Sequence, residues 1–241
     1  MSDPLHIVIL TGAGISAESG IETFRSEGGL WEQYPIEQVA TPEGFAADPA
    51  LVHHFYNMRR AALKVVEPNA AHLALAELQT GLEARGGSLT IITQNVDDLH
   101  SQAGARGVIH MHGILTSLFC SACDHRFDWV DDVAHDMPCP ACQTTGGPNK
   151  SVVRPDIVWF GEMPYEMDVI EARLRACDMF VSIGTSGAVY PAAGLVQMAG
   201  QLGKQTLELN LEKSQGSHFF DESRLGEAGT IVPKWVTEVL G

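Results

Sequence analysis

Four of the five cysteines stand in two pairs, Cys120-x-x-Cys123 and Cys139-x-x-Cys142, with fifteen residues between the pairs. In a chain expected to live in a reducing compartment, that spacing reads as a four-cysteine zinc site rather than as disulfides. Four thiolates complete a tetrahedral shell and leave no position for water, so the expected zinc is structural, not catalytic. His125 and His135 lie nearby, but four cysteines suffice. Cys177 precedes an apolar run and reads as a core residue rather than a nucleophile.

A different chemistry is written in Leu5–Arg25, LHIVILTGAGISAESGIETFR. Gly12-x-Gly14-x-x-Ala17 fits the dinucleotide fingerprint in its G-x-G-x-x-A form. Two residues without Cβ let the backbone approach a phosphate, and a helix starting at Ile15–Glu18 turns unpaired N–H groups toward it. A dehydrogenase would continue into a second strand ending in an acidic ribose ligand. Here a polar, glycine-bearing loop, Thr23–Trp31, follows instead, and Glu32 and Glu37 stand after no strand-like run. The reading is a nucleotide site under an unusual mobile loop, with its ribose held from elsewhere.

Gln94-Asn95-Val96-Asp97-Asp98 directly follows the apolar run Leu89–Thr93. Ligands of open parallel sheets bind outside the carboxyl ends of strands, and amides with a carboxylate suit ribose hydroxyls and a carboxamide. The competing reading is a helix N-cap. Of ten histidines, His112, followed by Gly113 at the end of Val108–Gly113, is best placed to be a base. His100 and His110 read as surface or satisfied core residues. Tyr56 and Arg59 are three apart beside the helical stripe Leu51, Phe55, Met58 and Ala62. Spacing alone favours a surface tyrosine packed on an arginine stem.

The elements that must position these groups alternate. Leu5–Leu10, Leu89–Thr93, Met179–Ile183 and Gln205–Leu209 read as buried strands, the last two ending in Gly184-Thr185-Ser186-Gly187 and Asn210. Asn210 is placed to supply the ribose contact missing after the first strand. Asp156–Glu162 reads as a further strand. Helices are expected over Ala50–Val66, Ala70–Leu82, Asp168–Ala176, Pro191–Leu202 and Pro233–Leu240. The fold class is α/β: a Rossmann-like parallel sheet with helices on both faces, a helical insertion and a small zinc-binding module. At 241 residues, the expected division is 1–40, 88–115 and 151–241 for the Rossmann-like dinucleotide-binding domain, 41–87 for the helices and 116–150 for the zinc module. The chain is expected to leave the zinc module near Thr144–Lys150 and rejoin the main sheet.

A formal net charge of −15 argues against nucleic-acid binding and is compatible with a cationic partner such as a lysine-rich peptide. Residues 120–142 carry five Asp against one Arg, which disfavours a nucleic-acid-reading zinc ribbon. No apolar run approaches the roughly twenty residues that span a membrane. The first residues lack the pattern of a signal peptide, so a cytoplasmic monomer is expected.

Taken in order, GAGISAESGI-x-TFR, TQNVDDLH, His112-Gly113, the two cysteine pairs, RPDIVWFGE, GTS and LELN resemble the sirtuins, the NAD-dependent protein lysine deacylases. The likeness covers nearly the whole chain and is nearest to the bacterial CobB-type members. Glu22 departs from the family, which mostly has Pro there, and is expected to alter loop dynamics more than chemistry.

The resemblance implies roles for individual residues. Gly12, Ala13, Gly14 and Ser16, with Ala17 and Glu18, would cradle the pyrophosphate of NAD; Thr23, Phe24, Arg25 and Trp31 would belong to the loop closing over its nicotinamide side. Gln94, Asn95, Val96 and Asp97 would hold the nicotinamide ribose and carboxamide, Asn95 also serving catalysis. Gly184, Thr185, Ser186, Asn210, Leu211 and Glu212 would surround the adenosine, with Ala228 near the adenine. The acyl-lysine oxygen would attack the ribose C1′ as nicotinamide departs, and His112 would take a proton from a ribose hydroxyl, giving free lysine and O-acyl-ADP-ribose. Val158, Phe160, Gly161, Gly187 and Val189 would pair with the acyl-lysine peptide as added strands.

Resemblance also changes the reading of Tyr56 and Arg59. Tyr-x-x-Arg here is similar to the pair with which desuccinylating sirtuins recognise an acyl carboxylate, and Ala40 would leave room in that pocket. Charge-assisted bonds of about 1.5–3 kcal/mol could shift preference about 10- to 100-fold, so deacetylation and desuccinylation are both expected. The rival functions are protein ADP-ribosyl transfer from the same site and a non-catalytic NAD or ADP-ribose binding module.

Overall fold

The computed structural model describes residues 4–21, 33–147 and 150–241. Its strands are β1 (His6–Thr11), β2 (Ser88–Thr93), β3 (Ile109–His110), β4 (Gly113–Cys120), β5 (Arg126–Asp128), β6 (Val153–Ile157), β7 (Met179–Ile183), β8 (Gln205–Asn210) and β9 (Glu222–Leu225). Six of them form one parallel sheet in the order β3-β2-β1-β7-β8-β9. From β1 the chain first steps to β2 on one side and later to β7 on the other. The strand order therefore reverses at β1, and the crevice outside the ends of β1 and β7 is the topological switch point.

Alternate residues of β1 feed the two cores. Ile7 and Ile9, with Ile91, Val181 and Leu207, pack against Leu75, Leu78, Val232 and Trp235. Val8 and Leu10, with Phe180, pack against Ile170, Leu174, Leu195 and Val196. Burial on both faces is why these strands read as continuous apolar runs rather than as alternating ones.

Residues from three segments close the crevice: α1 (Ala13–Ser16), α2 (Ile36–Val39) with α3 (Pro42–Ala47), and the longer pair α4 (Pro49–Leu63) and α5 (Ala70–Glu83). Asp48 caps α4, its Oδ1 accepting the Leu51 N–H at 2.9 Å, with Pro49 in the first turn. Asn69 caps α5, and His72 completes the capping box from the third position. The remaining helices are α6 (Leu99–Gln102), α7 (Met167–Ala176), α8 (Leu195–Gln201) and α9 (Ala228–Leu240).

Two expectations need correcting. The strand expected at Asp156–Glu162 lies upstream, at β6, and it pairs antiparallel with β4 in a separate sheet of order β5-β4-β6 instead of rejoining the main sheet. Pro155 is tolerated because β6 is an edge strand. After Ile157 the backbone N–H groups turn to other partners: Val158 donates to the His112 carbonyl at 3.0 Å, Trp159 to Glu162 Oε2 at 2.8 Å and Phe160 to the Ala40 carbonyl at 3.0 Å. The terminal helix also begins before Pro233, at Ala228, where the Gly229 N–H donates to Glu18 Oε1 at 2.7 Å.

Candidate active site

Two glycine turns meet at the switch point. Gly14 donates to the Gly184 carbonyl at 2.9 Å and Gly12 to the Ile183 carbonyl at 3.0 Å. A Cβ on Gly14 would lie 2.7 Å from Gly184 Cα, and one on Gly184, whose φ is +62°, would lie 2.4 Å from the Ile15 nitrogen. These glycines are needed first to bring the ends of β1 and β7 together. The first turn of α1 follows at once, its Gly14 and Ile15 N–H groups already donating to the Gly184 and Gly12 carbonyls, so what the floor offers an anionic diphosphate is close approach to backbone without side chains.

Beneath this floor runs a buried polar network. The Ser16 hydroxyl donates to Asp97 Oδ2 at 3.1 Å and accepts from Asn95 Nδ2 at 3.0 Å. His72 Nε2 lies 3.4 Å from the same oxygen, while His72 Nδ1 accepts the Asn69 N–H at 3.3 Å. An imidazole whose Nδ1 accepts carries its proton on Nε2, so His72 is a donor to Ser16. One hydroxyl thereby satisfies three partners and fixes Asn95 and Asp97 against each other. Asp97 Oδ1 also accepts the Leu99 N–H at 3.2 Å. Burial pushes the Asp97 carboxyl upward, opposed by these bonds and by the Arg59 charge. Behind Ser16, His72 stands edge-on to His100, which meets the Thr11 hydroxyl at 3.0 Å. His72 is not among the site residues expected from the sequence; Asn69-x-x-His72, a capping-box spacing, is the signal that could have found it.

His112 stands half-buried at the edge of this group, its Nδ1 3.2 Å from the Gln94 carbonyl. A carbonyl only accepts, so Nδ1 carries the proton and Nε2 is left as a base. Burial lowers its pKa below the ordinary value, keeping the ring neutral at pH 7. Val96, between Asn95 and Asp97, gives its carbonyl to the Leu115 N–H at 2.8 Å, tying this turn to β4.

On the other side of the switch point, Asn210 Nδ2 donates to the Thr185 carbonyl at 2.7 Å, and Asn210 Oδ1 accepts the Leu211 N–H at 3.0 Å. The amide thus fixes the Gly184–Ser186 turn while keeping one N–H for a ligand. Leu211 and Glu212 are exposed beyond it. The bond from Gly229 to Glu18 sets Ala17 and Glu18 beside Ala228 at the start of α9. Glu22, Thr23, Phe24, Arg25 and Trp31 lie outside the described residues.

Tyr56, expected on spacing alone at the surface, is instead 1% exposed. Its hydroxyl accepts from Trp159 Nε1 at 2.9 Å. The Arg59 guanidinium carbon lies 6.0 Å from its ring centre, and Arg59 also feels the Asp97 charge. Ala40 is buried in the same cluster. The N–H groups of Val158, Trp159 and Phe160 are spent inside the chain and the Trp159 carbonyl accepts the Glu162 N–H at 3.0 Å, so a partner strand is offered the Val158 and Phe160 carbonyls. Gly161, at φ +91°, and the half-exposed Phe160 ring face outward, as do Gly187 and Val189 at the end of β7. Arg154 and Glu162 shape this loop through two bonds of 2.7 and 2.8 Å. Opposite charges at either end of RPDIVWFGE were their only sequence signal.

At the far end of β4 the four sulfurs lie within 4.8 Å of one another, Cys120 and Cys142 at 3.8 Å and Cys123 and Cys139 at 3.7 Å. Those distances match the edge of a tetrahedron, about 3.8 Å for Zn–S bonds of about 2.3 Å. Each pair ends in the same turn, with Asp124 donating to the Cys120 carbonyl and Gln143 to the Cys139 carbonyl. The set fits one structural zinc. Cys177 is a buried core thiol, as expected.

Comparison with known proteins agrees with this geometry. The family model described as the Sir2 family matches residues 12–191. An NAD-dependent protein deacylase of Bdellovibrio bacteriovorus is 53% identical over 237 residues, 98% of this chain and 97% of that protein. A Sir2 homologue solved with NAD superposes with a TM-score of 0.85 at 37% identity, over 98% of this chain and 91% of the other. A Sir2 solved with an acetylated peptide gives 0.80 at 27% identity, over 97% and 93%.

Proposed function

This chain belongs to the Sir2 family, and from that premise we propose that it is an NAD-dependent protein lysine deacylase acting on acetyl and on succinyl or malonyl groups. The observation that carries the reading is His112, a neutral imidazole whose Nδ1 is held by the Gln94 carbonyl, just before the Asn95–Asp97 turn, leaving Nε2 as the base. NAD, when bound, would supply the ribose carbon for the acyl oxygen and nicotinamide as the leaving group. Gly12, Gly14 and Gly184, which lack Cβ, would let the diphosphate approach the paired turns closely, and Ser16, Asn95 and Asp97 would orient the nicotinamide ribose. His112 Nε2 takes the proton of a ribose hydroxyl and so makes it nucleophilic. Val158, Phe160, Gly161, Gly187 and Val189 hold the peptide, and Arg59 with Tyr56 receives an acyl carboxylate.

The test is mass spectrometry on one peptide carrying acetyl- or succinyl-lysine, each with and without NAD. The expected result is NAD-dependent loss of both groups with O-acyl-ADP-ribose appearing. Loss of acetyl alone overturns the carboxylate reading. ADP-ribose left on the peptide would make the protein a transferase, and tight NAD binding without turnover a binding module.

Residence in the cytoplasm, as a monomer without nucleic-acid partners, belongs to the same reading. Cysteines at metal spacing suit that compartment, and a charge of −15 repels phosphates. Light scattering at the 26.0 kDa monomer mass tests the oligomeric part.

A further inference from the structure

We propose that Trp159 is a positioning residue for acyl-group choice: its indole N–H fixes the Tyr56 hydroxyl so that the phenol donates its own proton to an acyl carboxylate. The inference rests on the reading of Tyr56 and Arg59 as the carboxylate site.

An indole N–H can only donate, so at 2.9 Å the Tyr56 oxygen must accept from Trp159. That bond occupies one direction in the ring plane and turns the phenol O–H to the other. Among the described residues this proton finds no acceptor, although Tyr56 is 1% exposed. A buried donor without a partner is costly, and a substrate carboxylate is the acceptor it lacks. Burial raises the Tyr56 pKa, so the phenol remains a donor at neutral pH. Accepting one hydrogen bond also strengthens the donation of the next.

Trp159 is itself clamped twice by one carboxylate. Glu162 accepts the Trp159 backbone N–H at 2.8 Å, and it holds Arg154, whose guanidinium carbon lies 3.5 Å from the indole ring centre. A chain of fixed groups thus runs from Glu162 through Arg154 and Trp159 to the Tyr56 hydroxyl. Arg59 attracts any anion, whereas this hydroxyl selects by direction.

The experiment is a double-mutant cycle read as the ratio of kcat/KM for succinyl- over acetyl-lysine peptide. The ratio cancels any general loss from a disturbed loop. Tyr56→Phe and Arg59→Met should each lower it. Trp159→Phe should lower it about five- to tenfold, the worth of one hydrogen bond, and should add less than about twofold in the Tyr56→Phe background. Replacing the Trp159 indole by its benzothiophene analogue removes the N–H at constant ring volume and should act like Trp159→Phe. It also decides the question where the phenylalanine variant does not fold. An unchanged ratio on removing the N–H, while Tyr56→Phe lowers it, overturns the proposal, as does an equal drop in the Tyr56→Phe background. Should the unmodified enzyme spare succinyl-lysine, or Tyr56→Phe and Arg59→Met leave the ratio alone, the carboxylate reading itself falls. Those arms do not involve Trp159, so the two failures are distinct.

Discussion

Hydrogen-bonding capacity sets the state of each side chain in the crevice. Gln94 offers His112 an acceptor only, which puts the ring proton on Nδ1, and burial keeps the ring neutral. His112→Ala should lower kcat about 10²- to 10⁴-fold, the usual worth of a positioned base, while NAD binding measured by calorimetry stays close to the unaltered protein's. Because the folded pKa lies below the ordinary histidine value, kcat/KM should hold level through neutral pH and fall only as pH drops beneath about 6.5. A limb centred well above pH 7 would remove His112 from this role. His112 was legible as a candidate from a glycine-terminated strand. The proton's position was not, because it depends on a carbonyl eighteen residues away.

The elements carry their own demands. Gly184 has φ +62° and a Cβ there would lie 2.4 Å from the Ile15 nitrogen, so Gly184→Ala meets a rare backbone conformation and a clash together. It should cost about 1–3 kcal/mol of stability and weaken NAD binding, seen as a lower Tm and a higher Kd. The zinc module is joined to the crevice by the pairing of β4 with β6, which leads directly into Val158–Gly161. It is braced from α4, where Asn57 Nδ2 donates to the Val133 carbonyl at 3.1 Å and Arg60 Nε to the Asp131 carbonyl at 3.2 Å. Elemental analysis should find one zinc per chain. Chelation or Cys139→Ser should abolish peptide turnover and unravel β5 and the ends of β4 and β6, monitored by hydrogen exchange. Both cysteine pairs and the glycine turn could be read locally. The place of β6 could not, because Val153–Ile157, VRPDI, carries no apolar pattern that says which sheet receives it.

Across the whole molecule, stability is tied to pH through histidines buried in neutral form. Burial lowers His53 and His72 to about 4 and His100 to about 3. Unfolding frees these rings to bind protons near pH 6.5, so between the folded and unfolded values the unfolded chain holds more protons. Their contribution is complete above about pH 6.5 and is lost as pH falls toward 4. A fall from 6.5 to about 4 corresponds to about 3 kcal/mol for His53 or His72 alone, and the touching pair His72 and His100 gives less than the sum. Tm should therefore drop steeply from pH 6.5 to 4.5. His72→Asn should flatten the slope, and an unchanged slope would discount the buried ring.

What rests on neighbours along the chain was readable without any structure. Strands buried on two faces, glycine turns at their carboxyl ends, two cysteine pairs at metal spacing and the order of motifs that marks the family all belong to this class. Which distant groups meet was settled only by the folded arrangement. His72 reaches Ser16 across 56 residues and Trp159 reaches Tyr56 across 103. A helical Tyr-x-x-Arg is a surface feature by spacing, whereas packing buries Tyr56 against Trp159. The reason is physical: periodicity and turn chemistry act over a few residues, whereas a hydrogen bond between distant residues exists only after the sheet order has brought their elements together.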